Sequence, residues 1–251
     1  MNLSEFAFGT ASVGSRINYA SFAELVDLAL QAGVRRFDSA PQYGRGLAQV
    51  FLQNYFDSNP GCDARISTKI GRMPVGDAKS LLIVLSRGRV NHALRLFGVP
   101  LSAAVDFSHA NLEASWHFTQ HSLDVSRVDS IFLHASPKQV LATGGAQVLL
   151  RLCGEGVQPG VAEPCAGDLQ WVTNHGGGRW VVQVSAYELL SNPALQAFPG
   201  TVWINSIVRY TRSHRVDLRE TMARLHAARP RDRVFVVGFN HAHMFDTFSA
   251  L

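Results

Sequence analysis

The sequence predicts an α/β protein built as a single (β/α)8 TIM barrel. Three observations support this prediction. Short apolar segments typical of strands occur eight times in the 251 residues, a helix-like segment follows each one, and no linker rich in glycine, serine or proline interrupts the series. Alternating strands and helices pair in parallel through right-handed crossovers, and eight such units in about 250 residues match a closed barrel. An open, doubly wound sheet is the alternative. We expect one domain over residues 1–251.

The first two units carry clear boundary signals. Residues 6–10 form the first predicted strand, and the helix after it begins with Ser21 and Glu24 at capping-box spacing and stops at Gly33. Residues 34–39 form the second strand, and apolar periodicity predicts a helix over residues 47–56.

The remaining six units follow the same order. Their predicted strands cover residues 64–70, 128–134, 157–162, 180–185, 202–207 and 234–238. Their predicted helices cover residues 111–121, 138–152, 166–175, 193–197 and 216–229, with a last helix that reaches Leu251.

A long insertion at about residues 71–109 separates the third strand from its helix. Because it leaves the carboxyl end of a barrel strand, it is expected to form part of the substrate pocket. The alternative is a small helical excursion, since residues 81–85 and 93–97 can each pack as part of a helix.

Composition excludes several classes of protein. Lys and Arg exceed Asp and Glu by four in a chain that is only 17% charged, and no dense basic run is present, so nucleic acid is not expected as a partner. The apolar runs fall far short of the roughly 18 residues of a membrane span. Three cysteines without C-x-x-C spacing, and an N-terminus without a secretory pattern, favour a reducing, cytoplasmic location. The oligomeric state stays open.

Four polar residues lie at or just after the carboxyl ends of the second, third and fourth predicted strands: Asp38, Tyr43, Lys69 and His134. Active sites of barrels are built at this rim. Each residue alone also fits a structural role, such as a turn or a hydrogen-bonded core group. Together on three neighbouring strands they predict a site, and we call this set the tetrad.

The residue types of the tetrad suit acid-base chemistry at an oxygen atom, and carbonyl reduction is one reaction that needs it. Hydride addition to a carbonyl carbon leaves an alkoxide, so an acid has to deliver a proton to the oxygen. Tyr43 is the candidate acid, and Lys69 beside it is expected to lower the phenol's pKa from its ordinary value near ~10. Asp38 would hold Lys69 charged and oriented. His134 would donate a hydrogen bond to the reacting oxygen.

Several segments resemble the aldo-keto reductases, in particular the aldose and galactose dehydrogenase branch. FDSAPQYGRG at residues 37–46, STKIG at 67–71 and SLDVSRVDSIFLHASP at 122–137 are similar to the second-, third- and fourth-strand motifs of that family. The resemblance implies that the tetrad is catalytic. It also implies an NAD(P)-dependent oxidoreductase that transfers hydride between a nicotinamide cofactor and a small carbonyl or sugar-like hemiacetal substrate.

The same resemblance implies cofactor-binding residues. FGTASVG at 8–14, VVQVSAYELL at 181–190 and FVVGFNHAHMF at 235–245 are similar to the ends of the first, sixth and eighth strands of the family. The implied cofactor-binding residues are Thr10, Ala11, Gln183, Gly238 and Asn240. The cofactor would be NADP or NAD, and no metal is expected.

Three segments depart from the family's pattern. Residues 163–164 are Glu-Pro where a Ser-Asn pair is implied, and Asn205 stands in place of an aromatic shelf for the nicotinamide. Phe239, His241 and His243 replace the basic residues implied for a 2′-phosphate. We therefore expect cofactor binding to be weak or lost. A cofactor-independent lyase or isomerase that uses Tyr43 and Lys69, or a non-catalytic binding protein, are the alternatives.

Overall fold

Eight parallel strands close into a barrel in the computed structural model, which describes residues 3–13, 17–74 and 106–251. The strands are β1 Phe6–Gly9, β2 Arg36–Asp38, β3 Arg65–Ile70, β4 Val128–His134, β5 Gln158–Ala162, β6 Val181–Ser185, β7 Thr201–Asn205 and β8 Arg233–Val237. Each strand pairs with the next, and β8 pairs with β1, with Ala7 beside Val236. The predicted (β/α)8 barrel is confirmed, and the open sheet was the wrong alternative.

Helices in the described part of the chain alternate with these strands. They are α1 Tyr19–Gln31, α2 Leu47–Ser58, α3 His109–Ser122, α4 Gly145–Cys153, α5 Ala166–His175, α6 Ala186–Ser191, α7 Pro193–Gln196, α8 Ile207–His214, α9 Leu218–Ala228 and α10 His243–Ser249. The large apolar core lies between their inner faces and the outward-facing side chains of the strands.

Three predicted boundaries were wrong for local reasons. Asn18, not Ser21, caps α1, because its side chain accepts a hydrogen bond from the Ser21 backbone N–H. Helix α4 begins only at Gly145, since a short 3-10 turn and a left-handed Gly144 precede it. Strand β7 ends at Asn205, and Ile207 already belongs to α8.

Strand alternation defines what faces the inside of the barrel. A small interior cluster includes Ala7, Phe132, Val181 and Trp203, with the Phe132 and Trp203 rings 5.6 Å apart. This cluster fills the barrel below its carboxyl-terminal rim.

The predicted insertion at 71–109 falls largely on residues 75–105, which lie outside the described residues. In the described part of the chain, none of the helices is both long and apolar enough to span a membrane.

Candidate active site

The carboxyl-terminal rim of the barrel brings the predicted polar residues together. Because paired residues of a parallel sheet point to the same side, the register with Ala7 and Phe132 fixes which rim residues face inward. The inward-facing rim positions are Asp38, Lys69, His134, Ala162, Gln183 and Asn205. Tyr43 reaches the same place from the loop after β2, and it contacts both Lys69 and His134. The four residues of the tetrad therefore lie together at this rim.

Asp38 and Lys69 form a buried ion pair at the centre of this rim. Lys69 Nζ lies 2.6 Å from Asp38 Oδ1 and 2.7 Å from Asp38 Oδ2, and it also donates to the Ser39 carbonyl at 3.2 Å. Burial alone would lower the pKa of Lys69, but the Asp38 carboxylate and Tyr43 outweigh burial and raise it. Lys69 therefore stays an ammonium group.

Tyr43 packs its ring against this ammonium group. The Lys69 Nζ atom lies 5.0 Å from the centre of the Tyr43 ring. A tight turn puts the ring there: the Tyr43 N–H donates to the Ala40 carbonyl, and Gly46 has a φ of 93°, which glycine adopts without strain. Burial raises the pKa of Tyr43, and the opposing effect of Lys69 does not cancel it. Lys69 acts in the expected direction, but the net pKa is raised rather than lowered, because sequence patterns do not measure desolvation.

His134 lies on β4, the strand next to that of Lys69. Its ring meets the Tyr43 ring edge-on, with centres 5.8 Å apart, and its Nε2 lies 3.5 Å from the Gln42 amide nitrogen. Burial, with the charges of Lys69 and Arg72, holds the pKa of His134 well below its ordinary value. The imidazole is therefore neutral near pH 7 and carries one N–H donor.

Two supporting residues were not found by sequence reasoning. Ser67 Oγ donates to Asp38 Oδ1 at 2.8 Å, and Arg72 donates to the carbonyls of His134 and Ala135 at 3.0 and 2.7 Å. Ser67 lies two residues before Lys69, so strand alternation would have placed it on the same inner face. Arg72 follows the strand, and no local signal pointed to its contacts.

The candidate cofactor residues of β1 and β8 form a second group. The Thr10 hydroxyl donates to the Asp38 carbonyl and contacts Ser39 Oγ, which ties the end of β1 to β2. Ala11 is exposed in the next turn. Asn240 Oδ1 accepts a hydrogen bond from Ser12 Oγ at 2.7 Å, just after the partly buried Gly238. These contacts join the loops after β1 and β8.

Gln183 is placed differently, inside the rim on β6. The residue is 2% exposed, and its Oε1 has no hydrogen-bond partner among the described residues. A buried amide oxygen of this kind costs about 1–3 kcal/mol unless a partner satisfies it. It is a fitting acceptor for an N–H of a nicotinamide carboxamide, so the rim fits that group at this point.

Two of the positions that depart from the family's pattern, Glu163 and Phe239, have distinct environments in the structure. Glu163 lies at the rim with a φ of 50°, and its backbone N–H is already bonded to the Gln183 carbonyl at 2.7 Å. Phe239 is fully buried and stacks on Phe245, with ring centres 4.3 Å apart. The Phe239 side chain thus belongs to the core and offers nothing to a phosphate.

Two curated relatives match part of the chain. The D-threo-aldose 1-dehydrogenase of a Pseudomonas species is 30% identical over 132 residues, which cover 51% of this chain and 38% of that protein. The pyridoxal 4-dehydrogenase of Microbacterium luteolum is 25% identical over 144 residues, covering 53% of this chain and 40% of that protein. The matches therefore span about two fifths of the length of each relative.

The fold also matches solved structures. An aldo/keto reductase from Klebsiella pneumoniae, solved in complex with NADP and acetate, superposes with a TM-score of 0.64 at 13% identity. The superposition covers 98% of this chain and 84% of that one. At the level of sequence, the model of the Aldo/keto reductase family matches residues 5–198, most of the chain and all four members of the tetrad. The chain belongs to the aldo/keto reductase family.

Proposed function

We propose that this protein is a nicotinamide-dependent oxidoreductase that interconverts a small carbonyl compound, or a sugar hemiacetal, and its reduced or oxidised partner. One observation carries the proposal. Lys69 Nζ is held by both oxygens of Asp38 and lies 5.0 Å from the centre of the Tyr43 ring, so a phenol, an ammonium group and a carboxylate act as one unit. The family and its dehydrogenase members support an oxidoreductase of this type.

Tyr43 is the proton donor in the reductive direction. When bound, the nicotinamide cofactor would supply the hydride. The raised pKa keeps the Tyr43 hydroxyl protonated at neutral pH, as an acid needs to be before the reaction. The adjacent Lys69 ammonium stabilises the negative charge that remains on the phenol oxygen after the proton leaves.

Asp38 and His134 support proton transfer from Tyr43 by positioning the groups around it. Asp38 keeps Lys69 charged and fixes its position, and Ser67 donates a hydrogen bond to the same carboxylate. A neutral His134 donates one hydrogen bond and adds no positive charge that would repel Lys69. It is suited to orient the carbonyl oxygen next to the Tyr43 hydroxyl.

The cofactor would be NADP or NAD, held by the residues around the rim. Gln183 supplies a buried acceptor for the carboxamide. Thr10, Ala11, Gly238 and Asn240 lie on the loops after β1 and β8 and would border the rest of the cofactor. The aldo/keto reductase of Klebsiella pneumoniae was solved with NADP, which supports this class of cofactor.

The direct test is an assay with NADPH and NADH against a panel of aldoses and small aldehydes, following the absorbance of the reduced nicotinamide. We expect turnover of at least one substrate, lost in Tyr43→Phe. Binding of a reduced cofactor without turnover of any carbonyl substrate would contradict the proposal for reduction, and the reverse assay with NAD or NADP then tests oxidation.

A second candidate function is a cofactor-independent lyase or isomerase that uses the same tetrad for acid-base chemistry. The buried Phe239 and the Glu163-Pro164 pair favour it, since both positions depart from what a cofactor needs. Absence of binding of either cofactor at millimolar concentration, with the protein folded, would make it the leading candidate.

A further inference from the structure

Two amide oxygens on neighbouring strands face the rim without a hydrogen-bond partner among the described residues. Five buried side-chain polar atoms in the described part of the chain have no hydrogen-bond partner, and three of them belong to His134, Gln183 and Asn205. His134 and Asn205 end β4 and β7, and Gln183 lies within β6 beside Ala162, so all three lie toward the carboxyl-terminal rim. The other two atoms belong to Arg229 and Arg233, near the opposite end of β8. Among the described residues, both unpartnered buried amide oxygens therefore lie at the candidate active site.

The register brings the two amides close together. Gln183 on β6 pairs with Trp203 on β7, and Asn205 lies two residues further along β7, on the same inner face. Ser185, the residue beside Asn205, donates its hydroxyl proton to Glu188 and caps α6. The Ser185 hydroxyl therefore does not donate to Asn205 Oδ1, which accepts from none of the described residues. The chain then turns sharply at Ser206, which has a φ of 57°.

The backbone after β5 does not supply the hydrogen bonds that the amide of a nicotinamide needs. The Glu163 N–H is bonded to the Gln183 carbonyl, and Pro164 has no N–H to donate. The amino group of a carboxamide carries two N–H donors, and two acceptors facing one side of the rim match them. Gln183 Oε1 is one acceptor, and Asn205 Oδ1 is the second.

We infer that Asn205 is a cofactor-positioning residue that accepts one N–H of the nicotinamide carboxamide while Gln183 accepts the other. The inference rests on the proposed function, since it names how that cofactor is held. It assigns a recognition role on β7 to a side chain that replaces the aromatic residue implied by the family resemblance. The amide orients the ring by hydrogen bonding rather than by stacking.

The test compares natural cofactors with analogues that lack the amino group. The 3-acetylpyridine analogues of NADH and NADPH keep the ring carbonyl and replace the amino group with a methyl group. Binding is measured by quenching of tryptophan fluorescence, for which Trp203 lies buried beneath the rim. We expect the wild type to bind the natural cofactor about tenfold more tightly than its analogue, and Asn205→Leu to reduce that ratio by about fivefold, as expected for one neutral hydrogen bond.

Matched variants distinguish a loss of carboxamide recognition from a general loss of folding or of cofactor binding. Thr201→Val changes an inward-facing side chain at the other end of β7 and should leave the ratio unchanged. Asn205→Ala replaces the leucine variant if that one does not fold. Equal losses for cofactor and analogue in the Asn205 variant, or no change in either, would overturn the assignment of Asn205. No binding of any cofactor to the wild type would instead overturn the proposed function, and the role of Asn205 with it.

Discussion

Lys69 Nζ lies between the two carboxylate oxygens of Asp38, at 2.6 and 2.7 Å, with the Lys69 and Asp38 side chains 2% and 4% exposed. Two charges buried this deeply are tolerated because each is the other's partner. The pair therefore has a structural and a chemical role at once. Substitutions that neutralise one or both members distinguish the two roles.

Asp38→Asn should destabilise the protein by about 3–5 kcal/mol, because it leaves the Lys69 ammonium buried without a compensating charge. Lys69→Met should be similarly costly, since it leaves the Asp38 carboxylate unpaired. The double variant removes both charges and should be more stable than the sum of the single losses predicts, while activity stays lost. Urea unfolding measures the free energies, and strict additivity of the two losses would contradict the coupling.

Tyr43→Phe should preserve the fold and lower turnover by about 10²- to 10⁴-fold, the range expected for removal of a general acid. The variant removes a hydroxyl and keeps the ring that packs on Lys69 and His134. Steady-state kinetics on the identified substrate measure the effect, with circular dichroism as the control for folding. Near-full activity of this variant would remove Tyr43 from its assigned role.

His134 should make stability fall in mild acid. Its pKa in the folded protein is well below its ordinary value near 6.5, so the unfolded chain binds the proton first as the pH drops. The contribution of neutral His134 to the free energy of unfolding is present above about pH 6.5 and is lost below it, at up to about 1.4 kcal/mol per pH unit. The free energy of unfolding at several pH values should show a shallower acid slope for His134→Gln than for the wild type.

Two comparisons check the pH result. His226 also has a lowered pKa, caused first by burial, and His226→Gln should reduce the acid slope in the same direction. The exposed His175→Gln controls for the loss of a histidine in general. An unchanged acid slope in His134→Gln would show that this imidazole does not carry the effect.

The preference between NADPH and NADH should be weak. Discrimination for NADPH needs cations at the 2′-phosphate, and the segment after β8 offers the exposed His241 and His243, whose rings stack 5.6 Å apart. We expect at most a modest preference for NADPH over NADH, because neither side chain offers the paired donors of an arginine. Calorimetry with both cofactors measures the two affinities.

A variant that carries both His241→Gln and His243→Gln is the matched control for this expectation. Its affinities for NADPH and for NADH should both stay close to those of the wild type. A strong preference for NADPH that this variant keeps would place the phosphate elsewhere on the molecule.

The elements that the sequence predicted well are those with strong local signals. The eight strands were found because each is a short apolar run between helical segments, and the resulting barrel needed no knowledge of distant contacts. Helix boundaries were less certain where several caps compete, as with Asn18 and Ser21 in α1. The division of the sixth connection into α6 and α7 was missed, although Ser185 and Glu188 form a complete capping box there.

The sequence by itself determined the barrel, and it determined that Asp38, Lys69 and His134 end neighbouring strands, since strand order and alternation are local properties. Only the tertiary structure decided the energetics of the site. Burial raises the pKa of Tyr43 and leaves the side-chain oxygens of Gln183 and Asn205 without a partner among the described residues. Contacts between segments distant in sequence bring Arg72 to the carbonyls of His134 and Ala135, to which it donates hydrogen bonds. Desolvation is a property of the assembled barrel, and a linear pattern of residues does not encode it directly.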